Sequence, residues 1–152
     1  MPQSKIAGDL VAAYRLARYR VDRQADHRTG LGPGAITLRV DQYSEPLSQL
    51  FSASGHQCAA FITACNPFGQ VQSPDINREA CAHLFGKLRS LVGPGRIIEG
   101  EGFDPSGKWP AEKSFLALEL DLEASCVLGK AYGQNAIVWA GADAVPRLIL
   151  LR

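Results

Sequence analysis

An apolar segment with no polar face is the feature of this sequence that most constrains its fold. Residues Cys58–Cys65 are apolar at every position except Thr63, which is the pattern of a strand whose two faces are both buried. Ala136–Ala140 has the same character and is also predicted to be a central strand. A sheet with such strands needs helices packed on it, so the chain is predicted to be a layered structure of strands and helices.

Signals for helices and strands are interspersed along the chain. Ser73-Pro74-Asp75 combines a capping Ser, a Pro in the first turn and an acid for the helix dipole. Such patterns predict four helices, at Lys5–Val21, Glu45–Ser54, Ser73–Val92 and Asp121–Tyr132, and six strands, at Ala35–Val40, Cys58–Cys65, Arg96–Phe103, Ser114–Leu120, Ala136–Ala140 and Arg147–Leu151. The third helix is expected to bury Ile76, Ala80, Leu84, Leu88 and Leu91.

The order of these elements excludes a purely parallel Rossmann sheet. We therefore predict an α/β (α+β) fold, a single domain with a mixed sheet of about six strands and about four helices packed on it. Within this domain, residues 1–28 are expected to form a basic N-terminal helix and linker, and residues 29–152 the mixed α/β body.

Composition limits the class of partner. The 152 residues are 46% hydrophobic and 20% charged, with a net charge of +1, which is typical of one globular domain and gives no overall field to attract nucleic acid. The longest apolar runs are six or seven residues, too short to cross a bilayer, and no secretory signal is recognisable. A cytoplasmic location is expected, with no nucleic-acid or membrane partner.

Cysteine and histidine spacings indicate no metal site. The four Cys include no C-x-x-C pair and lie in apolar patterns, so they are predicted to be reduced core residues, with a nucleophilic role for Cys65 as the weaker alternative. His83 is expected on the solvated face of its helix, and His27 and His56 in polar loops. No zinc, iron or other cofactor is expected.

Basic charge is concentrated in residues 1–28, which hold six Lys and Arg against three acids. In the predicted first helix, Arg15 and Arg18 lie opposite the apolar residues. Tyr14, Arg15, Arg18, Tyr19 and Arg20 could contact an acidic partner. The favoured interpretation is a solvated face whose Arg stems cover apolar surface.

Carboxylates cluster in residues 99–104. On a strand, Glu99 and Glu101 point to the same side, and the two glycines that follow them leave the other side bare. With Asp104 or Glu112 folded back, the pair would suit a divalent cation or acid–base chemistry. The favoured alternative is solvent-facing charge that protects a strand edge.

Two turns next to the interior strands carry amide side chains. Asn66 follows the first interior strand, where crevices form in sheets covered by helices, although an Asn before Pro is equally suited to a turn. Gln134 precedes the second interior strand, and turn chemistry alone does not explain it. Its neighbours Gly133 and Asn135 are predicted to be structural.

Short motifs in a set order resemble a known family. They are Phe61–Phe68 (Phe-Ile-Thr-Ala-Cys-Asn-Pro-Phe), Asn77, Gly100 through Trp109–Ser114 (Trp-Pro-Ala-Glu-Lys-Ser) and Tyr132–Ala136 (Tyr-Gly-Gln-Asn-Ala). In order and spacing they are similar to the bacterial family known as domain of unknown function 3293, and the likeness spans roughly residues 10–152. The resemblance implies no assigned activity. It points to seven positions: Thr63, Asn66, Asn77, Trp109, Glu112, Ser114 and Gln134.

The chain departs from the family pattern at two places. Lys113 stands where the resemblance leads us to expect a second acid, which argues against a pair of carboxylates as the mechanism. Cys65 stands where a larger or aromatic residue is expected, which argues against a cysteine nucleophile shared by the family.

These residues together predict a polar crevice that binds, or acts on, a small polar ligand. Trp109 would supply a stacking face, Glu112 a charge or general base, and Asn66 with Gln134 the amide contacts. Glu112 is the candidate catalytic residue, and the other six positions are candidate ligand-binding residues. If Glu112 instead pairs with a cation such as Lys113 or Arg96, it belongs to the scaffold.

A protein-binding module is the alternative function. An inhibitor or immunity-type protein would use the basic N-terminal helix as its contact surface and would not need the polar residues to converge.

Overall fold

The computed structural model describes residues 4–23 and 34–152. Over these residues the helices are α1 (Gly8–Leu16), α2 (Glu45–Ser54), α3 (Pro74–Val92) and α4 (Leu122–Ala131). The strands are β1 (Arg18–Arg23), β2 (Gly34–Leu38), β3 (Ala59–Thr63), β4 (Ile97–Phe103), β5 (Glu112–Leu118), β6 (Ala136–Ala140) and β7 (Arg147–Leu150). A 3-10 turn covers Pro67–Gly69. Residues 24–28 of the predicted linker, with His27, lie outside the described residues.

The seven strands form a single curled sheet in the order β2-β1-β4-β5-β3-β6-β7. Each pair of neighbours is antiparallel. The α+β class, the single domain, the four helices and a single sheet of about six strands are therefore confirmed, with seven strands observed. Only the mixed strand direction is corrected, because the sheet is antiparallel throughout. A strand that is apolar on both faces is buried on both sides, whether its neighbours run parallel or antiparallel to it. The apolar pattern therefore could not predict the strand direction.

The seventh strand comes from the region predicted as one long helix. The helix prediction for Lys5–Val21 holds for Gly8–Leu16, but the chain then becomes β1, which lies between β2 and β4. Ala17 and Val21 are four residues apart, a spacing that fits a helical face and strand alternation equally well. Tyr19, buried between them, reveals the period of two.

Helices cover both faces of the sheet. On one face, α2 packs Leu47, Leu50 and Phe51 into the core. On the other face, α3 and α4 cover β3, β5 and β6. The predicted N-caps of α3 and α4 are present, since Ser73 and Asp121 each accept a hydrogen bond from the third residue of their helix.

The buried stripe of α3 is rotated relative to the prediction. Leu84 and Leu88 are fully buried as expected, but Ile76 and Leu91 are about half exposed. Cys81 and Val92 are buried in addition. Apolar residues lie on more than one side of this helix, and the tertiary contact with β5 selects the side that is covered.

No helix in the described parts of the chain is both long and apolar enough to cross a bilayer.

Candidate functional site

Two turns at one end of the central strands are joined by hydrogen bonds. The backbone N–H of Phe68, in the turn after β3, donates to the carbonyl of Gly133 over 2.8 Å. Gln134, before β6, donates from Nε2 to the carbonyl of Cys65 over 3.1 Å. Gly133 has a φ of +69°, and a Cβ there would lie 2.9 Å from Cβ of Pro67, so glycine is needed both for the turn and for the contact.

A cavity of about 160 Å³ lies beside these turns. Six of the seven predicted positions line it: Thr63, Asn66, Trp109, Glu112, Ser114 and Gln134. The seventh, Asn77, lies behind Asn66 and lines a second, wider depression of about 790 Å³ that shares Asn66 and Glu112 with the first. The tertiary structure thus brings the predicted positions into one region.

Asn66 is the central residue of this region. Its Nδ2 donates to Oε2 of Glu112 over 2.7 Å, and its Oδ1 accepts from Asn77 Nδ2 at 2.9 Å and from the backbone N–H of Gln72 at 2.9 Å. The backbone N–H of Asn66 in turn donates to Asn77 Oδ1 over 3.0 Å. Asn66 has a φ of +47°, a conformation that Asn tolerates better than most residues. Asn66 therefore suits the turn, as predicted, and its side chain also holds Glu112 in the cavity.

Glu112 is a mostly buried carboxylate at the start of β5. Burial raises its pKa to about 7, although the hydrogen bond from Asn66 opposes the rise. The cations considered as partners are engaged elsewhere: Lys113 pairs with Glu99 at 3.2 Å, and Arg96 donates to the carbonyl of Val92. Among the described residues no salt bridge to Glu112 is formed. The predicted scaffold alternative therefore lacks its cation.

Three of the predicted positions make structural hydrogen bonds. Thr63 Oγ1 donates to the carbonyl of Lys113 and accepts from the N–H of Cys65. Ser114, fully buried, donates to the carbonyl of Glu112 over 3.0 Å. With the Nε2 bond of Gln134, these contacts hold the backbone around the cavity in place.

Aromatic side chains form another wall of the cavity. Trp109, half-buried, was predicted, but Tyr14 and Tyr19 were not. Tyr19 donates its hydroxyl to the carbonyl of Tyr14 over 2.6 Å, and the hydroxyl of Tyr14 accepts from Nδ2 of Asn135 at 3.1 Å. Asn135 is buried and also lines the cavity. No local motif marks these residues, because they come from the N-terminal segment that was interpreted as one amphipathic helix.

The acidic segment at residues 99–104 does not gather into a cluster. Glu99 pairs with Lys113, and Glu101 pairs with Arg20 at 2.7 Å. Asp104 binds Ser106 within its own turn. Within residues 4–23 and 34–152 no group of three or more His, Cys, Asp or Glu side chains could hold a metal ion.

One histidine and two cysteines lie as the sequence predicts. His83 is exposed on α3, as predicted, and its Nδ1 lies 2.6 Å from the hydroxyl of Tyr132. All four Cys are free thiols; Cys65 and Cys81 are buried, as predicted, and the other two are half-buried.

The fold and the site define a small α+β domain with an acid–amide cavity at one end of its central strands. The profile of the family described as "Protein of unknown function (DUF3293)" matches residues 62–137, half of the chain. The protein belongs to this family, which confirms the resemblance, and the matched segment runs from β3 into β6. No curated protein and no solved structure matches the chain.

Proposed function

We propose that the cavity binds a small polar ligand about the size of a single ring, and that Glu112 is the group that exchanges a proton or a hydrogen bond with it. The observation that carries this proposal is the position of Glu112 in the cavity wall: a mostly buried carboxylate whose side chain is held by the Asn66 amide at 2.7 Å. A buried carboxylate without a cation costs stability, and a role in binding accounts for its presence in the cavity wall.

The size of the cavity limits the ligand. A volume of about 160 Å³ is close to that of an engineered cavity of about 150 Å³ that takes up benzene. Trp109, Tyr14 and Tyr19 offer flat surfaces against which a planar ligand would stack. A single heteroaromatic ring with an N–H group to donate to Glu112 combines these requirements.

The ionisation of Glu112 suits proton exchange near neutrality. With a pKa of about 7, the side chain is present in both forms at neutral pH, as efficient general acids and bases are. Asn66 and Asn77 keep its orientation, since each holds the other through two hydrogen bonds. This is the basis for acid–base chemistry on a bound ligand.

The alternative protein-binding function keeps only part of the helix on which it was based. Only Gly8–Leu16 is helical, and Arg18 and Arg20 belong to β1. Arg20 pairs with Glu101, and Tyr14 lines the cavity. Nothing in the described residues favours this alternative over the cavity.

Binding of single-ring probes tests the proposal. Imidazole, 2-aminopyridine and 2-pyridone are titrated into the ¹⁵N-labelled protein, and the indole N–H of Trp109 is followed by NMR. We expect saturable shifts at Trp109 with at least one nitrogen-donor probe, weakened about tenfold or more in Glu112→Gln, as loss of a charged hydrogen bond implies.

Glu79→Gln is the matched control, because Glu79 is exposed on α3 and lines neither cavity nor depression. It should bind the probes like the wild type. Saturable shifts that are unchanged in Glu112→Gln, or the lack of any saturable shift at Trp109, would overturn the proposal.

A further inference from the structure

Two thiols from different parts of the chain meet in the second depression. Cys65, in the turn after β3, and Cys81, on α3, have their Sγ atoms 3.4 Å apart. Both line the depression and neither lines the first cavity. Each residue is 5% exposed, so the pair is shielded from large molecules but lies at a surface that a small one can approach.

The surroundings hold Cys65 in place. Its N–H donates to Thr63 Oγ1 over 3.0 Å, and its carbonyl accepts from Gln134 Nε2. Both sulfurs also lie within 3.8 Å of the carbonyl of Lys113. A disulfide has an S–S length of about 2.05 Å, so forming one requires the two sulfurs to approach by about 1.4 Å from their separation of 3.4 Å.

We propose that Cys65 and Cys81 form a redox-active dithiol that a small hydroperoxide oxidises to a reversible disulfide. This modification site goes beyond the ligand cavity, and it does not depend on the function proposed for that cavity.

The chemistry takes two balanced steps. The Cys65 thiolate attacks the distal peroxide oxygen, the O–O bond breaks, and the leaving alkoxide or hydroxide takes up a proton, so that Cys65 becomes a sulfenic acid. The Cys81 sulfur then attacks the Cys65 sulfur; the S–O bond breaks, the S–S bond forms, and the Cys81 proton leaves with the hydroxide as water. The peroxide is reduced by two electrons and the dithiol is oxidised by two.

Cys65 is assigned as the attacking thiol and Cys81 as the resolving thiol. The contact between the two sulfurs lowers the pKa of Cys65, and this effect outweighs the burial that opposes it. The same contact, with burial, raises the pKa of Cys81. A thiolate is the reactive form of cysteine, so the first step falls to Cys65. In the second step Cys81 gives up its proton to the departing hydroxide as its sulfur attacks the sulfenic acid.

Peptide mapping after peroxide treatment tests the proposal in the folded wild-type chain. Hydrogen peroxide is added, the remaining thiols are alkylated, and the protein is cut with trypsin. Because Arg78 lies between the two cysteines, Cys65 falls in peptide 40–78 and Cys81 in peptide 79–87. We expect these peptides to become linked, with loss of two hydrogen atoms, before Cys126 is oxidised, and to separate again when a dithiol reductant is added.

Two variants assign the roles. Cys58→Ser removes the other thiol of peptide 40–78 and should leave the linkage and its rate unchanged. Cys81→Ser should stop at a Cys65 sulfenic acid that dimedone traps; if this variant does not fold, the wild-type mapping still decides. Oxidation of Cys58 or Cys126 ahead of the pair, or linkage that appears only in denaturant, would overturn the proposal.

Discussion

The amide of Asn66 donates a 2.7 Å hydrogen bond to the carboxylate of Glu112, although the two residues are 46 positions apart in the chain. Asn66 belongs to the turn after β3, and Glu112 begins β5, the strand that pairs with β3. The antiparallel register pairs Thr63 with Ser114, and this pairing brings Asn66, just after β3, close to Glu112, at the start of β5. The acid of the candidate site is therefore oriented by the sheet itself.

The raised pKa of Glu112 predicts an unusual dependence of stability on pH. The carboxyl has an ordinary pKa of 4.5 in the unfolded chain and of about 7 in the folded protein. Between these values the unfolded chain has lost the proton that the folded protein retains, so the unfolding free energy falls as the pH rises. The contribution of the protonated Glu112 to the unfolding free energy is fully present below pH 4.5. It is lost as the pH rises through about 7, and the loss amounts to about 3 kcal/mol.

Glu112→Gln should remove this cost. In urea unfolding at pH 8 we expect the variant to be more stable than the wild type by as much as about 3 kcal/mol, and at pH 5 by less than about 1 kcal/mol. Glu79→Gln, an exposed change on α3, should show no such pH-dependent difference. If Glu112→Gln loses several kcal/mol at pH 8, Glu112 has a buried cationic partner and belongs to the scaffold.

Asn66→Ala should destabilise the fold and raise the pKa of Glu112 further. The change leaves Asn77 Nδ2 and the N–H of Gln72 without their acceptor, which costs about 2–4 kcal/mol in urea unfolding. It also removes the hydrogen bond that opposes the pKa rise at Glu112, a change that ¹³C NMR titration of the carboxyl group detects.

Asn66→Gly separates the backbone from the side chain in this experiment. Glycine adopts the φ of +47° without the strain that Ala meets, so it should be about 1 kcal/mol more stable than Asn66→Ala. The pKa of Glu112 should be the same in both variants. If the pKa of Glu112 in both variants equals that of the wild type, the side chain of Asn66 does not hold the carboxylate.

Gly100→Ala tests the strand that the helix prediction missed. A Cβ at Gly100 would collide with the backbone carbonyl of Arg20 in β1, and a backbone atom cannot move aside as a side chain can. We expect a loss of about 3 kcal/mol or more in thermal or urea unfolding.

Gly102→Ala is the matched control, since the same strand accepts a Cβ there at 3.5 Å from the ring of Tyr19. This loss should be about 1 kcal/mol, the ordinary scale for a point substitution. Equal effects of the two changes would contradict the pairing of β1 with β4.

The sequence predicted the elements whose local signals agree. Ser73-Pro74 begins α3 and Gly55 ends α2, as capping chemistry requires. The prediction from sequence failed at residues 17–21, because the helical and the strand period fit the same apolar positions. It also failed for the direction of the strands, because the burial of a strand carries no information on that direction.

For the candidate site, the sequence by itself determined the residue types. These are an acid, amides and a Trp, and they lie in three separate motifs. Only the tertiary structure decided that Asn66 holds Glu112, that Tyr14 and Tyr19 complete the wall, and that Cys65 meets Cys81. The physical reason is that hydrogen bonds and desolvation act through space over a few ångströms. Positions 16 to 121 residues apart come within that range only when the sheet pairs its strands and the helices cover it.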